Sequence, residues 1–178
     1  KAVPAVHEIV LRPATPPKSG WRLGHGVQGE PGPKPLLAKL PRRSYLLIDL
    51  DGDGVISPGR DGLALAGHPF IVTLPAVFLC ELGECDVAFK TPAKLVLTAR
   101  ETKVDPETVA DAGDFNEIRL RAGLPLVVID REASQDCLKH CEYLRLNRDV
   151  GLTHDEDRER PGYTAAGALA GLRSCLGA

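Results

Sequence analysis

The residues with the clearest potential for chemistry lie between Asp49 and Asp61, where aspartates alternate with small or apolar residues. Asp49, Asp51 and Asp53 are spaced two apart, and Gly54 follows at a point where the backbone must turn sharply. Hard cations such as Ca²⁺ take about six to eight oxygen ligands, and a short acidic loop can supply them. Without a cation, such carboxylates repel one another. The spacing therefore predicts a Ca²⁺ site.

The rest of this loop resembles the EF-hand or dockerin calcium loop in part. Val55 stands where a backbone carbonyl binds the ion, Ile56 should point into the core, and Ser57 follows. The last ligand position holds Arg60, which cannot bind a cation, and Asp61 can replace it only if the loop is one residue longer. The predicted metal ligands are Asp49, Asp51, Asp53, Val55, Ser57 and Asp61. A plain Asp-Gly turn between two strands is the alternative.

Composition excludes several classes of partner. The chain has 178 residues and a net charge of −2, so its charge gives no general reason to expect nucleic acid or an anionic membrane as partner. No apolar run reaches the roughly 18 residues that a transmembrane helix needs. The sequence contains no Met, and we expect a mature product or a fragment of something longer.

Five cysteines favour an oxidising compartment. Cys80 and Cys85 flank a short loop that can close a hairpin, and we predict a disulfide between them. The odd number leaves at least one thiol free or paired with another chain, and Cys175 can meet Cys137 or Cys141. We therefore expect a secreted, periplasmic or extracellular protein.

The first part of the chain has the pattern of a small β-rich module with long Pro- and Gly-rich loops. Short apolar or alternating runs predict strands. These are Val6–Leu11, Ser44–Leu50, His68–Leu79, Asp86–Phe89 and Lys94–Ala99. The module is predicted to cover residues 1–105, with the calcium loop at 49–61. The polar stretch Arg100–Gly113 reads as a linker.

The remainder, residues 112–178, has a helical pattern, which makes the predicted fold class α+β. Asp114 and Glu117 have the spacing of a capping box, and Gly123 is expected to end the short helix that follows. Asp130 is expected to cap a second helix, residues 131–147. Thr164 is expected to cap a third, residues 165–175, whose glycines allow close packing against a neighbour.

The second helix places five residues on one face: Ala133, Cys137, His140, Cys141 and Leu144. We expect the two cysteines of this face to be buried or disulfide-bonded rather than zinc ligands, so Zn²⁺ is not a predicted cofactor. His140 is expected to be a core histidine with its hydrogen bonds satisfied.

Residues 115–171 resemble the front half of a CAP-superfamily domain, the fold of cysteine-rich secretory, antigen 5 and pathogenesis-related proteins, in its bacterial secreted form. The likeness rests on Asn116, Arg119, residues 122–126, Asp130, residues 137–144 and His154. It implies part of an α-β-α sandwich with a cleft of two histidines and two acids that can bind a divalent metal. By this likeness His154 is the first cleft histidine and Glu156 the nearest acid. Residues 162–164 replace the usual Gly-Glu-Asn motif and no second cleft histidine follows, so we expect an incomplete cleft.

Three functions follow from these patterns. The first is a secreted calcium-binding protein with a CAP-like region, which acts by binding an extracellular or cell-surface ligand and not by turnover. The second is a metal-assisted hydrolase whose cleft uses His154 and Glu156. The third is a structural surface protein in which the acidic loop is only a turn and holds no metal.

Overall fold

Ten strands and three α-helices occur in the residues that the computed structural model describes, which are 4–24, 34–90, 93–100 and 106–173. The strands are β1 (Val6–Val10), β2 (Arg12–Pro13), β3 (Arg22–Leu23), β4 (Leu36–Lys39), β5 (Ser44–Ile48), β6 (Gly62–Leu65), β7 (Phe70–Thr73), β8 (Val77–Cys80), β9 (Gly83–Lys90) and β10 (Lys94–Ala99). The helices are α1 (Pro106–Arg121), α2 (Arg131–Leu146) and α3 (Ala165–Arg173). The predicted α+β class, with a β-rich first part and helices after it, is confirmed.

The strands form two sheets. One has the order β1-β10-β9-β8 and is antiparallel throughout. The other has the order β2-β4-β5-β6-β7-β3, in which β3 and β7 form a parallel pair. Strands β5 and β6 are almost completely buried. Leu47 and Leu63 of this sheet and Leu95 and Leu97 of the other belong to one hydrophobic core.

The predicted strand His68–Leu79 is in fact two strands that belong to different sheets. Strand β7 ends at Thr73 and β8 begins at Val77. Pro75 lies between them, where its missing N–H disturbs no ladder. A break at this point lets the chain pass from one sheet to the other.

Helix α1 differs from its prediction. It begins at Pro106, so residues 106–113 are helical rather than a linker, while residues 101–105 lie outside the described part. Asp114 is therefore in the middle of the helix, and the predicted capping box is wrong. Gly123 does follow the end of the helix, with a φ of 69°, as predicted.

Helix α1 belongs to the β-rich part of the chain. Its Gly113 lies against the backbone of Cys80 on β8, and Asn116 exchanges two 2.8 Å hydrogen bonds with the backbone of Val127. The chain divides into two units at residues 129 and 130, whereas the sequence suggested a boundary near residue 105. The apolar face of α1 explains the difference, because it packs on the sheet.

The second unit contains α2, a single 3₁₀ turn (Arg148–Val150) and α3. Both predicted caps are confirmed: Asp130 accepts a hydrogen bond from the backbone N–H of Ala133 at 3.0 Å, and the Thr164 hydroxyl accepts one from Gly167 at 2.9 Å. The predicted last turn of α3, residues 174–175, lies outside the described part.

Of the helices that the structure describes, none is long and apolar enough to cross a bilayer.

Candidate metal centre

The acidic loop connects β5 to β6. The buried carboxylate of Asp61 is hydrogen-bonded to both halves of this loop. Asp61 is 1% exposed. One of its oxygens accepts a hydrogen bond from the backbone N–H of Leu50 at 2.9 Å, and the other accepts one from Ser57 at 2.6 Å. The carboxylate therefore sets the shape of the loop before any ion is considered.

Asp49 folds the first half of the loop back on itself. Its two oxygens accept hydrogen bonds from the backbone N–H groups of Gly52 at 2.7 Å and Gly54 at 2.8 Å. Both glycines have positive φ, 73° and 80°, which other residues rarely adopt. The prediction that Gly54 allows a sharp turn here is confirmed.

Three carboxylates meet in this loop. Asp49, Asp51 and Asp61 each offer an oxygen, and these oxygens lie within 4.8 Å of one another. No other set of three His, Cys, Asp or Glu residues in the described ranges has this arrangement. The cluster could hold a metal ion, and it is compatible with Ca²⁺.

The structure brings together some of the predicted ligands and not others. Asp61 joins the cluster although it is one residue late, whereas Asp53 lies outside the group of three and accepts a 2.8 Å hydrogen bond from the Val55 N–H. Ile56 packs against the core, as predicted. The Val55 carbonyl and Ser57 remain predicted ligands.

Arg60 supplies a positive charge inside the loop. Its guanidinium pairs with the carboxylate of Asp51 and lies 3.5 Å from that of Asp53. Its side chain is 62% exposed, so the pairing is of the weak, solvent-screened kind. A bound cation would compete with Arg60 for Asp51.

No protein-family model, curated protein or solved structure matches this chain. The resemblance to the CAP superfamily therefore stays a prediction.

Glu156 in the second unit is a buried anchor. Its side chain is fully buried, and one oxygen lies 2.9 Å from Nδ1 of His140 while the other accepts a 3.3 Å hydrogen bond from the Thr164 N–H. The Nε2 atom of His140 lies 3.0 Å from the Thr153 carbonyl oxygen. His140 is thus a satisfied core histidine, as predicted, and both oxygens of Glu156 are occupied in holding α2 and the start of α3.

His154 lines a pocket of about 290 Å³ in the second unit, together with Cys137, His140 and Cys141. Both cysteines of this pocket are exposed free thiols, which corrects the expectation that they are buried or disulfide-bonded. The reason is the orientation of α2. It buries His140 and Tyr143, so the two thiols lie to one side of the buried face.

Cys80 and Cys85 lie on neighbouring strands of the β8–β9 hairpin. Both are buried free thiols, so the predicted disulfide is not formed in this structure. Contact with the Cys85 thiol, together with burial, raises the pKa of Cys80.

A charged cluster around Arg43 was not predicted from the sequence. Arg43 pairs with Asp114 and Glu117 of α1, and its backbone N–H donates to Glu81 at 3.2 Å. A hydrogen bond from Arg43 lowers the pKa of Asp114, and hydrogen bonds from Arg121 and Arg43 lower that of Glu117. The signal in the sequence was the Asp114–Glu117 spacing, which places two acids on one helical face.

Proposed function

We propose that this chain is a calcium-binding protein whose β-rich unit is stabilised by one Ca²⁺ ion at residues 49–61. The observation that carries the proposal is the position of Asp61, a buried carboxylate that joins Asp49 and Asp51 within 4.8 Å. The protein would act as a binding or structural module and not as an enzyme.

The charge balance of the loop supports a divalent ion. Four aspartates and one arginine lie between residues 49 and 61. Arg60 faces Asp51 and Asp53, while Asp61 accepts hydrogen bonds from backbone N–H groups, which carry no net charge. A carboxylate oxygen that accepts one hydrogen bond keeps a lone pair for another ligand. A Ca²⁺ ion would relieve the remaining repulsion among the three carboxylates.

The expected affinity is that of an extracellular calcium module. Such sites bind with dissociation constants of about 10⁻⁴–10⁻³ M. An affinity in this range fits a secreted location, where calcium is at millimolar concentration, although the free thiols of the described cysteines give that location no support. Because the ion binds the folded loop, calcium stabilises the folded state.

Thermal unfolding of the full chain tests the proposal. After chelation, 10 mM Ca²⁺ should raise the melting temperature of the β-rich unit by about 5 °C or more if the dissociation constant is about 10⁻⁴ M. Asp51→Asn should remove most of this rise. Asp86→Asn is the matched control, because Asp86 is also an exposed aspartate paired with an arginine, and it should keep the full rise.

The same experiment separates the structural alternative from the metal site. If Ca²⁺ leaves the melting temperature of the unmodified chain unchanged, the loop is a turn neutralised by Arg60, and the calcium proposal fails. An equal rise with Asp51→Asn would place the ion elsewhere and would also contradict it.

The hydrolase alternative has little geometric support. It needs Glu156 as a metal ligand or a base, but Glu156 does not line the pocket beside His154 and its side chain is fully buried. By the CAP resemblance, the pocket beside His154 would instead serve to bind a ligand.

A further inference from the structure

We propose that the pocket of the second unit binds a small, uncharged molecule that consists mainly of hydrocarbon. The pocket has a volume of about 290 Å³, and it is lined by residues of α2, by residues 152–154 and by Ala170 of α3. All of these residues belong to the second unit, whereas the calcium loop belongs to the first. The proposal therefore goes beyond the calcium site and does not depend on it.

The wall of this pocket is largely apolar. Leu144, Leu152 and Ala170 contribute hydrocarbon side chains. Cys137 and Cys141 contribute thiols that form no disulfide, and a free cysteine behaves as a small hydrophobic residue whose S–H is only a weak hydrogen-bond donor. These five side chains favour contact with an apolar ligand.

The polar side chains of the wall already have partners. The ring nitrogens of His140 lie 2.9 Å from a Glu156 oxygen and 3.0 Å from the Thr153 carbonyl oxygen. The Thr153 hydroxyl oxygen accepts a hydrogen bond from the backbone N–H of Asp155 at 3.1 Å, and His154 has an interaction of its own. A polar ligand would lose hydrogen bonds to water on entering this pocket without replacing them, whereas a hydrocarbon has none to lose.

Leu152 gives an independent reason to expect an apolar ligand. It lines the pocket and is nevertheless 96% exposed, more than any other large hydrophobic residue in the described ranges. Covering an exposed leucine with apolar surface is favourable, because it removes that surface from water. A hydrocarbon ligand in the pocket would contact Leu152 and cover part of it.

The volume of the pocket sets the size of the ligand. A dry apolar cavity of about 150 Å³ binds benzene, so a pocket of about 290 Å³ accommodates about ten carbon atoms, the size of two fused six-membered rings. A ligand this small should bind with a dissociation constant on the order of 10⁻⁴ M.

Naphthalene is the probe for this site, and NMR of the isotope-labelled full chain under reducing conditions measures its binding. We expect the backbone amide signals of pocket residues such as Cys141, Leu152 and Ala170 to shift as naphthalene is added. A naphthalene disulfonate, which has the same rings and two negative charges, should leave these signals unchanged. Absence of shifts at the pocket with naphthalene, or equal shifts with the disulfonate, would overturn the proposal.

Two pairs of variants locate the ligand. Cys141→Asp adds a carboxylate to the pocket wall and should weaken naphthalene binding more than about tenfold. Leu138→Asp is its matched control, because it adds the same charge at an exposed position of α2 that does not line the pocket, and it should bind naphthalene normally. Leu152→Ser should weaken binding about threefold or more. Leu172→Ser, which alters an exposed leucine of α3 outside the pocket, should not.

Equal affinity for naphthalene in Cys141→Asp and Leu138→Asp would contradict the proposed site. If Cys141→Asp loses the helical circular dichroism of the parent chain, the comparison of Leu152→Ser with Leu172→Ser decides in the same way. The titration is done in chelator, and Asp51→Asn should leave naphthalene binding unchanged. A failure of the calcium proposal can therefore be told apart from a failure of this one.

Discussion

At the scale of single residues, Asp61 shows what the spacing of acids can and cannot predict. The alternation of aspartates points to a cation, because few other purposes need three carboxylates at that spacing. The sequence did not decide which residue supplies the last ligand, since Asp61 lies one residue after the position where the loop pattern expects it. Its role depends on burial and on hydrogen bonds to Leu50 and Ser57, which only the folded chain provides.

Asp61 should stabilise the folded chain with and without calcium. Asp61→Asn replaces one accepting oxygen by an NH₂ group, so either Leu50 or Ser57 loses its buried acceptor. We expect a loss of about 1–3 kcal/mol in unfolding free energy by urea titration in chelator. Asp51→Asn should cost less than about 1 kcal/mol under the same conditions, because it breaks only an exposed ion pair with Arg60. Equal losses in the two variants would refute the anchoring role of Asp61.

Arg60 should weaken calcium binding by competing for Asp51. An exposed pair of this kind is worth up to about 1 kcal/mol, so Arg60→Gln should tighten Ca²⁺ binding by up to about fivefold. Isothermal titration calorimetry measures the change. Arg100→Gln, which removes a similar exposed partner of Asp86, should leave the affinity unaltered. Weaker binding by Arg60→Gln would mean that Arg60 helps to shape the site.

At the scale of elements, the sequence predicted the helix caps and helix ends that depend on interactions between nearby residues. The Asp130 and Thr164 caps and the Gly123 stop depend on neighbours within a few residues, and all three were predicted. The start of α1 was not, because Pro106 to Gly113 look polar until Val109 and Gly113 are placed against the sheet. Short strands such as β4 and β6 were missed because pairing with β5 defines them.

Gly171 should be required for the contact between α2 and α3. A Cβ at this position would lie 2.7 Å from Cε1 and 2.9 Å from Nδ1 of His140, in addition to meeting the His154 carbonyl. Gly171→Ala should therefore destabilise the second unit by about 1–3 kcal/mol, measured by denaturant unfolding. Leu169→Ala, at a half-exposed position of α3, should cost less. No destabilisation by Gly171→Ala would show that α3 does not pack as described.

The Arg43 cluster should make the first unit sensitive to acid. Arg43 lowers the pKa of Asp114, and Arg121 and Arg43 together lower that of Glu117, so both carboxylates bind protons less readily in the folded chain. Their stabilisation is complete above their unfolded pKa values of about 4 and is lost as the pH falls through the lower folded values. The double variant Asp114→Asn, Glu117→Gln should flatten the fall in unfolding free energy below about pH 4.5. An unchanged slope would contradict this assignment. Glu8, whose pKa is lowered by Lys90 and Lys94, contributes to the slope that remains.

At the scale of the whole molecule, composition and periodicity predicted a β-rich part followed by helices, but placed the boundary too early. The boundary depends on where α1 packs, and helical periodicity alone does not show which surface a helix covers. The candidate site was likewise predicted only in part. Aspartate spacing predicted the loop, whereas the selection of Asp61 over Asp53 and the pairing of Arg60 depend on the folded backbone.

A crystal structure of the full chain grown in millimolar Ca²⁺, with anomalous diffraction to identify the ion, tests the calcium site most directly. We predict one Ca²⁺ at about 2.3–2.6 Å from carboxylate oxygens of Asp49, Asp51 and Asp61, with Arg60 displaced from Asp51. A loop with no ion under these conditions, and with Arg60 still paired to Asp51, would contradict the account.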